Sequence, residues 1–254
     1  MRSTGRNGVP RSVLGRALTV LDCFTDGEAE LSLAELARRS GLPKPTVHRL
    51  LAELDQWNVV ERTPGGHRLG MRLFELGQLV PRQQGLRDAA MPVLRDLFEA
   101  THETVHLAVL DGAEVVYLIK LEGRNGPAVP SRIGGRMPAY CTGVGKALLA
   151  YLPEAELQKV IAGGLPRRTP YTVHAPGRLE RQLVAVRETG VAIEREESAL
   201  GITCAASAVF DDQGRAVAAI SVTGWVNRLD TARMAPAVRT AALGTSRHLR
   251  GAIF

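Results

Sequence analysis

Apolar residues recur with a helical period through the first hundred positions and alternate or run continuously after them. Between Ser12 and Phe24, Val13, Ala17, Val20, Leu21 and Phe24 share one helical face. Leu33, Leu36 and Ala37 mark a second helix, and Val47, Leu50, Leu51 and Leu54 recur at i, i+3, i+4, i+7 to mark a third. Met71 to Val80 predicts another short helix. Leu86 to Thr101 carries Leu86, Ala90, Val93, Leu94, Leu97 and Phe98 at helical spacing, with Pro92 predicting a kink or break inside it. That segment reads as the helix connecting two domains. Past His102 the pattern changes: Val105–Leu110 and Val115–Ile119 flank Asp111-Gly112-Ala113-Glu114, and Ile202–Phe210 and Ala216–Thr223 flank a second turn, predicting two β-hairpins. Helices are expected over residues 143–152, 154–162, 179–188 and 230–249. Hairpins separated by helices predict an α+β domain with an antiparallel sheet.

The punctuation of the second and third helices is specific. Ser32 with Glu35 three residues on is a capping-box pattern. Gly41 stands where a sharp turn needs positive φ, and Pro45 pre-sets a first helical φ while disfavouring helix at Lys44. The face opposite the apolar stripe carries Thr46, His48, Arg49, Glu53 and Gln56. These are the parts of a helix-turn-helix. Val59–Thr63 and His67–Leu69 flank Pro64-Gly65-Gly66 and predict a small hairpin wing after it.

Charge adds a partner. Between Glu35 and Glu53 the chain has Arg38, Arg39, Lys44 and Arg49 and no carboxylate, the footprint expected for a phosphate backbone. Thr46, His48 and Arg49 are the candidates for base contacts in the major groove. Lys44, Arg62 and Arg68 are the candidates for phosphates, His67 could join them on the wing, and Ser32 is counted with the DNA-binding set. A net charge of +6 agrees with a polyanionic partner. No apolar run approaches a membrane span, and the basic start of the chain lacks the apolar core of a signal peptide, so a cytoplasmic protein is expected. Cys23, Cys141 and Cys204 are odd in number and have no CxxC pair, which excludes a disulfide framework or zinc finger. No metal site or cofactor is expected.

Taken in order, SVLGRALTVLDCF, LAELARRSGLPKPTVHRLL, IGGRMPAYCTGVGKALLAYLP (133–153), ESALGITCAASAVFD (197–211) and AAISVTG (218–224) resemble the IclR family of bacterial transcription regulators over nearly the whole chain. The resemblance implies a winged helix-turn-helix joined by a helix to a GAF-like α/β effector-binding domain with an antiparallel sheet. On this reading residues 1–10 are a flexible tail, 11–80 the DNA-binding domain, 81–102 the linker helix and 103–254 the effector-binding domain. It further implies a homodimer, able to pair into a tetramer on a near-palindromic double-stranded operator, under control of a small effector. Matched motif to motif, the effector pocket would involve Met137, Gly143, Val144, Glu194, Ile202, Cys204, Ser221 and Thr223.

The second domain also has chemistry of its own. Gly143 and Gly145 open a helix and either offer bare backbone N–H groups to an anion or permit tight helix–sheet packing. From Gly123 to Pro153 the only charged residues are Arg124, Arg132, Arg136 and Lys146, which favours an acidic effector. Aromatic residues make up only 4%, which points to a small aliphatic or singly ringed carboxylic or phenolic acid. Ser221 and Thr223 alternate along one strand and share a face, inward or outward. Glu194 fits an anionic ligand poorly. TGVGKA lacks the earlier glycine and the Ser/Thr of a phosphate-binding P-loop, with Tyr140 and Ala147 in those places. Two alternatives remain open: Cys141 and Cys204 as a redox sensor, or as a metal sensor with His106 nearby; and, more remotely, Cys141 as the nucleophile of a small-acid-processing enzyme. No partner base with an orienting carboxylate stands out for the latter, so no enzyme is expected.

Overall fold

The computed structural model describes residues 12–26, 28–80, 83–124 and 126–251, so the tail expected over residues 1–10 lies outside the described residues. The chain divides into two compact units, Met1–Pro81 and Arg82–Phe254.

In the first unit α1 (Val13–Asp22) is capped by Ser12, whose hydroxyl accepts from the Gly15 N–H, and runs into a tight turn over Cys23–Asp26. α2 (Leu33–Ser40) starts at Ser32, whose Oγ accepts from the Glu35 N–H at 3.2 Å. Only that half of the expected capping box is seen: the Glu35 carboxylate goes to Arg38 and Arg39, which offer it charged donors. Gly41 closes α2 at φ 66°, the left-handed value expected. α3 (Lys44–Gln56) begins one residue earlier than Pro45 alone suggests. Pro45 then occupies the second helical position, where its missing N–H belongs to a turn whose donors have no intrahelical partner anyway. Val20, Phe24, Leu36, Val47, Leu50 and Leu51 meet in one apolar core. Val13 does not join it; it is exposed at the first turn of α1. The wing is β1 (Val60–Thr63) paired with β2 (Gly66–Leu69), and the backbone of Leu31 bonds both ways with His67 to extend it. α4 (Met71–Gln78) follows and buries no residue.

The second unit is a six-stranded antiparallel sheet. Its strands are β3 (Thr104–Asp111), β4 (Glu114–Leu121), β5 (Arg136–Pro138), β6 (Ala192–Arg195), β7 (Ile202–Phe210) and β8 (Ala216–Trp225), in the order β5-β4-β3-β8-β7-β6. The two predicted hairpins are β3–β4 and β7–β8. Alternation splits the sheet into two faces. Leu107, Ile119, Ala205, Ile220 and Val222 pack on α5 (Gln83–Thr101) and α9 (Thr231–Gly251). Ala108, Val115, Met137, Cys204, Ala206 and Ala219 face α6 (Gly143–Leu149), α7 (Glu154–Ala162) and α8 (Pro176–Thr189).

The helix expected to connect two domains is an integral layer of this unit, with Leu86, Ala90, Leu94 and Leu97 buried, and α5 continues through Pro92. Burial of that stripe on both sides of the proline offsets the lost backbone bond. α6 stops at Leu149, short of the expected 152, and α8 starts at Pro176, since proline is well suited to a first helical position.

Candidate functional site

The face of α3 away from the core presents exposed Lys44, His48 and Arg49 and half-buried Thr46, and Arg62 is exposed on the wing. Among the described residues none of Lys44, Arg49 and Arg62 has a carboxylate partner. Other candidates have other duties. Arg38 binds Glu35, Arg39 bridges Glu28 and Glu35, and Arg68 pairs with Glu61 across the wing at 2.8 Å. The cation-only stretch read from sequence is therefore thinner in space, because Glu28 and Glu35 reach into it. Ser32 spends its hydroxyl on the α2 cap. His67 is half-buried with Nδ1 unpartnered, and burial lowers its pKa, so it is a poor phosphate ligand.

In the second unit, strand register builds a polar band across the α6 face of the sheet. Thr104, Thr223, Cys204 and Glu194 stand side by side on β3, β8, β7 and β6. In the next row stand Lys120, His106, Ser221, Ala206 and Ala192. Ser221 and Thr223 thus face inward, buried, and not solvent. A Cβ on Gly143 would meet the Cys204 sulfur at 2.6 Å and the Ala206 Cβ at 3.4 Å, so the start of α6 rests directly on the band. Close packing is thereby a requirement at Gly143. At Gly145 the N–H is already taken by the Thr142 hydroxyl.

Each pocket candidate has a definite place. Met137 on β5 accepts from the Tyr117 hydroxyl at 3.6 Å through its sulfur. Val144 packs in the α6 core with Cys204 and Ala219. Ile202 is buried at the start of β7 opposite Trp225. Glu194 is buried with its Oε1 accepting from the N–H groups of Glu197 (2.6 Å) and Ser198 (3.0 Å), and burial pushes its pKa up to about 7. It braces the loop after β6. Sequence reasoning missed Thr104 and Tyr117 as residues of this face and named His106 only as a possible metal partner of Cys141 and Cys204. Their signal was present in the alternation of β3 and β4, which puts Thr104 and His106 on the same face as Ser221 and Thr223 once register is known.

Two of the four cations read between Gly123 and Pro153 are committed to carboxylates. Arg136 binds Asp111 and Glu114. Lys146 is buried and donates to Glu197 Oε1 (2.5 Å), Ile193 O (2.9 Å) and Gln182 Oε1 (3.2 Å). Burial pushes the Cys141 thiol up to about 12 and Cys204 up to about 11, so both are neutral thiols, the opposite of a reactive or sensing cysteine. Among the described residues no three His, Cys, Asp or Glu side chains gather as metal ligands, and no helix is long and apolar enough to cross a membrane.

Residues 13–64 match the IclR helix-turn-helix domain and residues 78–247 the C-terminal domain of bacterial IclR transcriptional regulators. The chain is 37% identical to the HTH-type transcriptional regulator XynR of Escherichia coli over 87% of its own length and 88% of that protein. It is 33% identical to the transcriptional repressor IclR of E. coli over 87% and 82%. An IclR homologue from Microbacterium hydrocarbonoxydans, solved with 4-hydroxybenzoate, superposes with a TM-score of 0.88 at 29% identity, covering 95% of this chain and all of that one. The IclR of Thermotoga maritima superposes at 0.76 with 31% identity, covering 93% and 98%. A recognition helix presenting cations, a wing beside it and a helix-covered polar sheet in the second unit agree with those matches along both units: the chain belongs to the IclR family of DNA-binding transcriptional regulators.

Proposed function

We propose that the effector is a small carboxylic or phenolic acid, bound between the start of α6 and the polar band of the sheet. The observation that carries this is the buried row of neutral hydrogen-bonding groups, Thr104, Thr223 and Cys204 with Ser221 and His106 beside it, on a face that otherwise would be filled with apolar side chains. Buried hydroxyls donate to an acceptor without the desolvation cost of an unpaired cation. Met137 and Ile202 supply apolar walls, Gly143 and Val144 form the α6 side, and Glu194 fixes the loop edge. The relative holding 4-hydroxybenzoate supports a singly ringed acid. Regulation then needs differential affinity: the acid must favour one arrangement of the DNA-binding units over another.

On DNA, two α3 helices of a homodimer read a near-palindrome, with Thr46, His48 and Arg49 toward bases and Lys44 and Arg62 toward phosphates. Exposed Val13, Leu14 and Leu18 on α1, and Met71, Phe74 and Leu79 around α4, support self-association of the first unit. Titration calorimetry with 4-hydroxybenzoate and benzoate, on wild type and a Ser221→Ala, Thr223→Val variant, tests the pocket. Saturable binding that weakens at least tenfold in the variant is expected. Binding of neutral or cationic analogues only, or acid binding indifferent to both substitutions, refutes it.

A further inference from the structure

His106 is in the middle of the α6 face and both of its ring nitrogens are engaged by hydroxyls. Nε2 is 2.7 Å from Ser131 Oγ and Nδ1 is 3.3 Å from Ser221 Oγ. The ring is completely buried, its plane tilted 52° against Tyr117 with centroids 5.1 Å apart. Cys204 stands opposite Thr223 and one register step along from Ser221 on the same face. Ser131, His106 and Ser221 therefore form one chain of neutral hydrogen-bonding groups running from the loop before β5 to β8, with Cys204 beside its end at the start of α6.

A neutral imidazole has one N–H and one lone pair. Two hydrogen-bond directions are open to the chain. If Ser131 donates to Nε2, the proton sits on Nδ1 and donates to Ser221, whose own O–H is then released from the ring and available to a ligand, a stronger acceptor than the nearby Cys204 thiol. If Nε2–H donates to Ser131, Ser221 must donate to Nδ1 and can show a ligand only lone pairs. The first direction fits a carboxylate and the second a ligand that donates a proton.

We propose that His106 is a positioning residue that determines effector specificity: held by Ser131, it directs the Ser221 hydroxyl outward as a donor and so selects a carboxylate over its neutral amide. This rests on the pocket reading above, in which Ser221 meets the ligand. The neutrality of the ring agrees with it, since burial, assisted by the Lys120 charge, pushes the His106 pKa down to about 3. Removing the imidazole removes the donor that fixes Ser221, and the hydroxyl then rotates to suit either ligand end. Specificity is lost before affinity.

Two measurements test it. The first is a long-range 1H–15N correlation on wild-type protein saturated with 4-hydroxybenzoate, assigned by the signals lost in His106→Asn. A His106 ring protonated on Nδ1, with a bare Nε2, is expected; the Nε2–H tautomer in that complex overturns the inference. The second is the dissociation constant for 4-hydroxybenzamide divided by that for 4-hydroxybenzoate, which exceeds one when the carboxylate is preferred. His106→Phe is expected to shrink that ratio at least tenfold. His106→Asn, which keeps an amide donor at the Nδ1 position, is expected to restore most of it. An unchanged ratio in His106→Phe overturns the inference while leaving the pocket reading intact. If 4-hydroxybenzoate fails to bind, or binds Ser221→Ala as it binds wild type, the pocket reading fails and the inference with it.

Discussion

The two units handle polar groups in opposite ways. In the DNA-binding unit the core is almost wholly apolar, and charge is on the surface, where, among the described residues, Arg38, Arg39 and Arg68 pair with neighbouring carboxylates while Lys44, Arg49 and Arg62 do not. In the effector unit one sheet face is apolar against α5 and α9, and the other buries Thr104, His106, Glu194, Ser221 and Thr223, with Lys146 and Glu197 behind them. A surface that meets phosphates only has to present cations already solvated by water. A pocket that discriminates small molecules must keep polar groups out of water and hold each in place with internal partners. In the effector unit, substitutions that orphan a buried charge should therefore fall on folding, whereas in the DNA-binding unit the unpaired surface cations can be removed without that cost.

The sharpest test of that contrast is Lys146→Met. Its ammonium is almost wholly buried and holds Glu197, whose second oxygen already lacks a hydrogen-bond partner. Leaving that carboxylate buried and unpaired should cost about 3–5 kcal/mol. Denaturant titration followed separately in the two units should show the effector unit losing stability while the DNA-binding unit keeps its own. Replacing both partners, Lys146→Met with Glu197→Leu, should recover most of the loss, because no buried charge is then orphaned. A single variant as stable as wild type would mean the pair is solvated and the contrast overstated.

Much of this architecture was legible in periodicity, and its limits are instructive. Stripes such as Val47, Leu50 and Leu51, and the hairpins around Gly112 and Asp211–Gly214, announced themselves because a whole element repeats the signal. The edge strands β5 and β6 did not, since three or four residues carry too little alternation to distinguish a strand from a loop. The inward side of Ser221 and Thr223 was undecidable from β8, whose neighbours are apolar on both faces; register with His106 and Cys204 settles it. Charge was the least legible. Lys146, Arg136 and Arg39 looked like free cations in the linear string, and each finds a carboxylate contributed by another part of the chain.

A smaller effect comes from pH, and Glu194 and His106, both buried, act with opposite signs. Glu194 titrates higher folded than unfolded, from 4.5 to about 7. Its contribution is complete below pH 4.5 and is lost as pH rises to about 7. His106 titrates lower folded, from 6.5 to about 3, so its contribution is complete above pH 6.5 and is lost as pH falls toward 3. Between pH 4.5 and 6.5 the two slopes partly cancel in the wild type. Glu194→Gln keeps an acceptor for the Glu197 and Ser198 amides and removes only the first slope. Its stability relative to wild type should therefore improve by up to about 3 kcal/mol between pH 4.5 and pH 8. Parallel stability curves for the two proteins would show that Glu194 is ionised and well solvated in the fold.

On the DNA side the same contrast predicts substitutions that alter function and leave folding alone. Arg49 is exposed on α3 with no carboxylate to hold it among the described residues, so Arg49→Ala should leave the melting temperature unchanged. If its guanidinium meets a guanine edge, operator affinity should drop by about 1–3 kcal/mol, with relaxed preference at one base pair. If it meets a phosphate, affinity should fall alike on all sequences and the salt dependence should become shallower by about one counterion. Arg38 is as cationic in sequence but is tied to Glu35, so Arg38→Ala should leave operator affinity within about threefold, the loss expected of an already neutralised surface charge. Gel-shift titrations of both variants on one operator, at two salt concentrations, decide the matter. Equal losses for Arg38 and Arg49 would mean that pairing with Glu35 is broken on DNA, and that the interface extends back along α2.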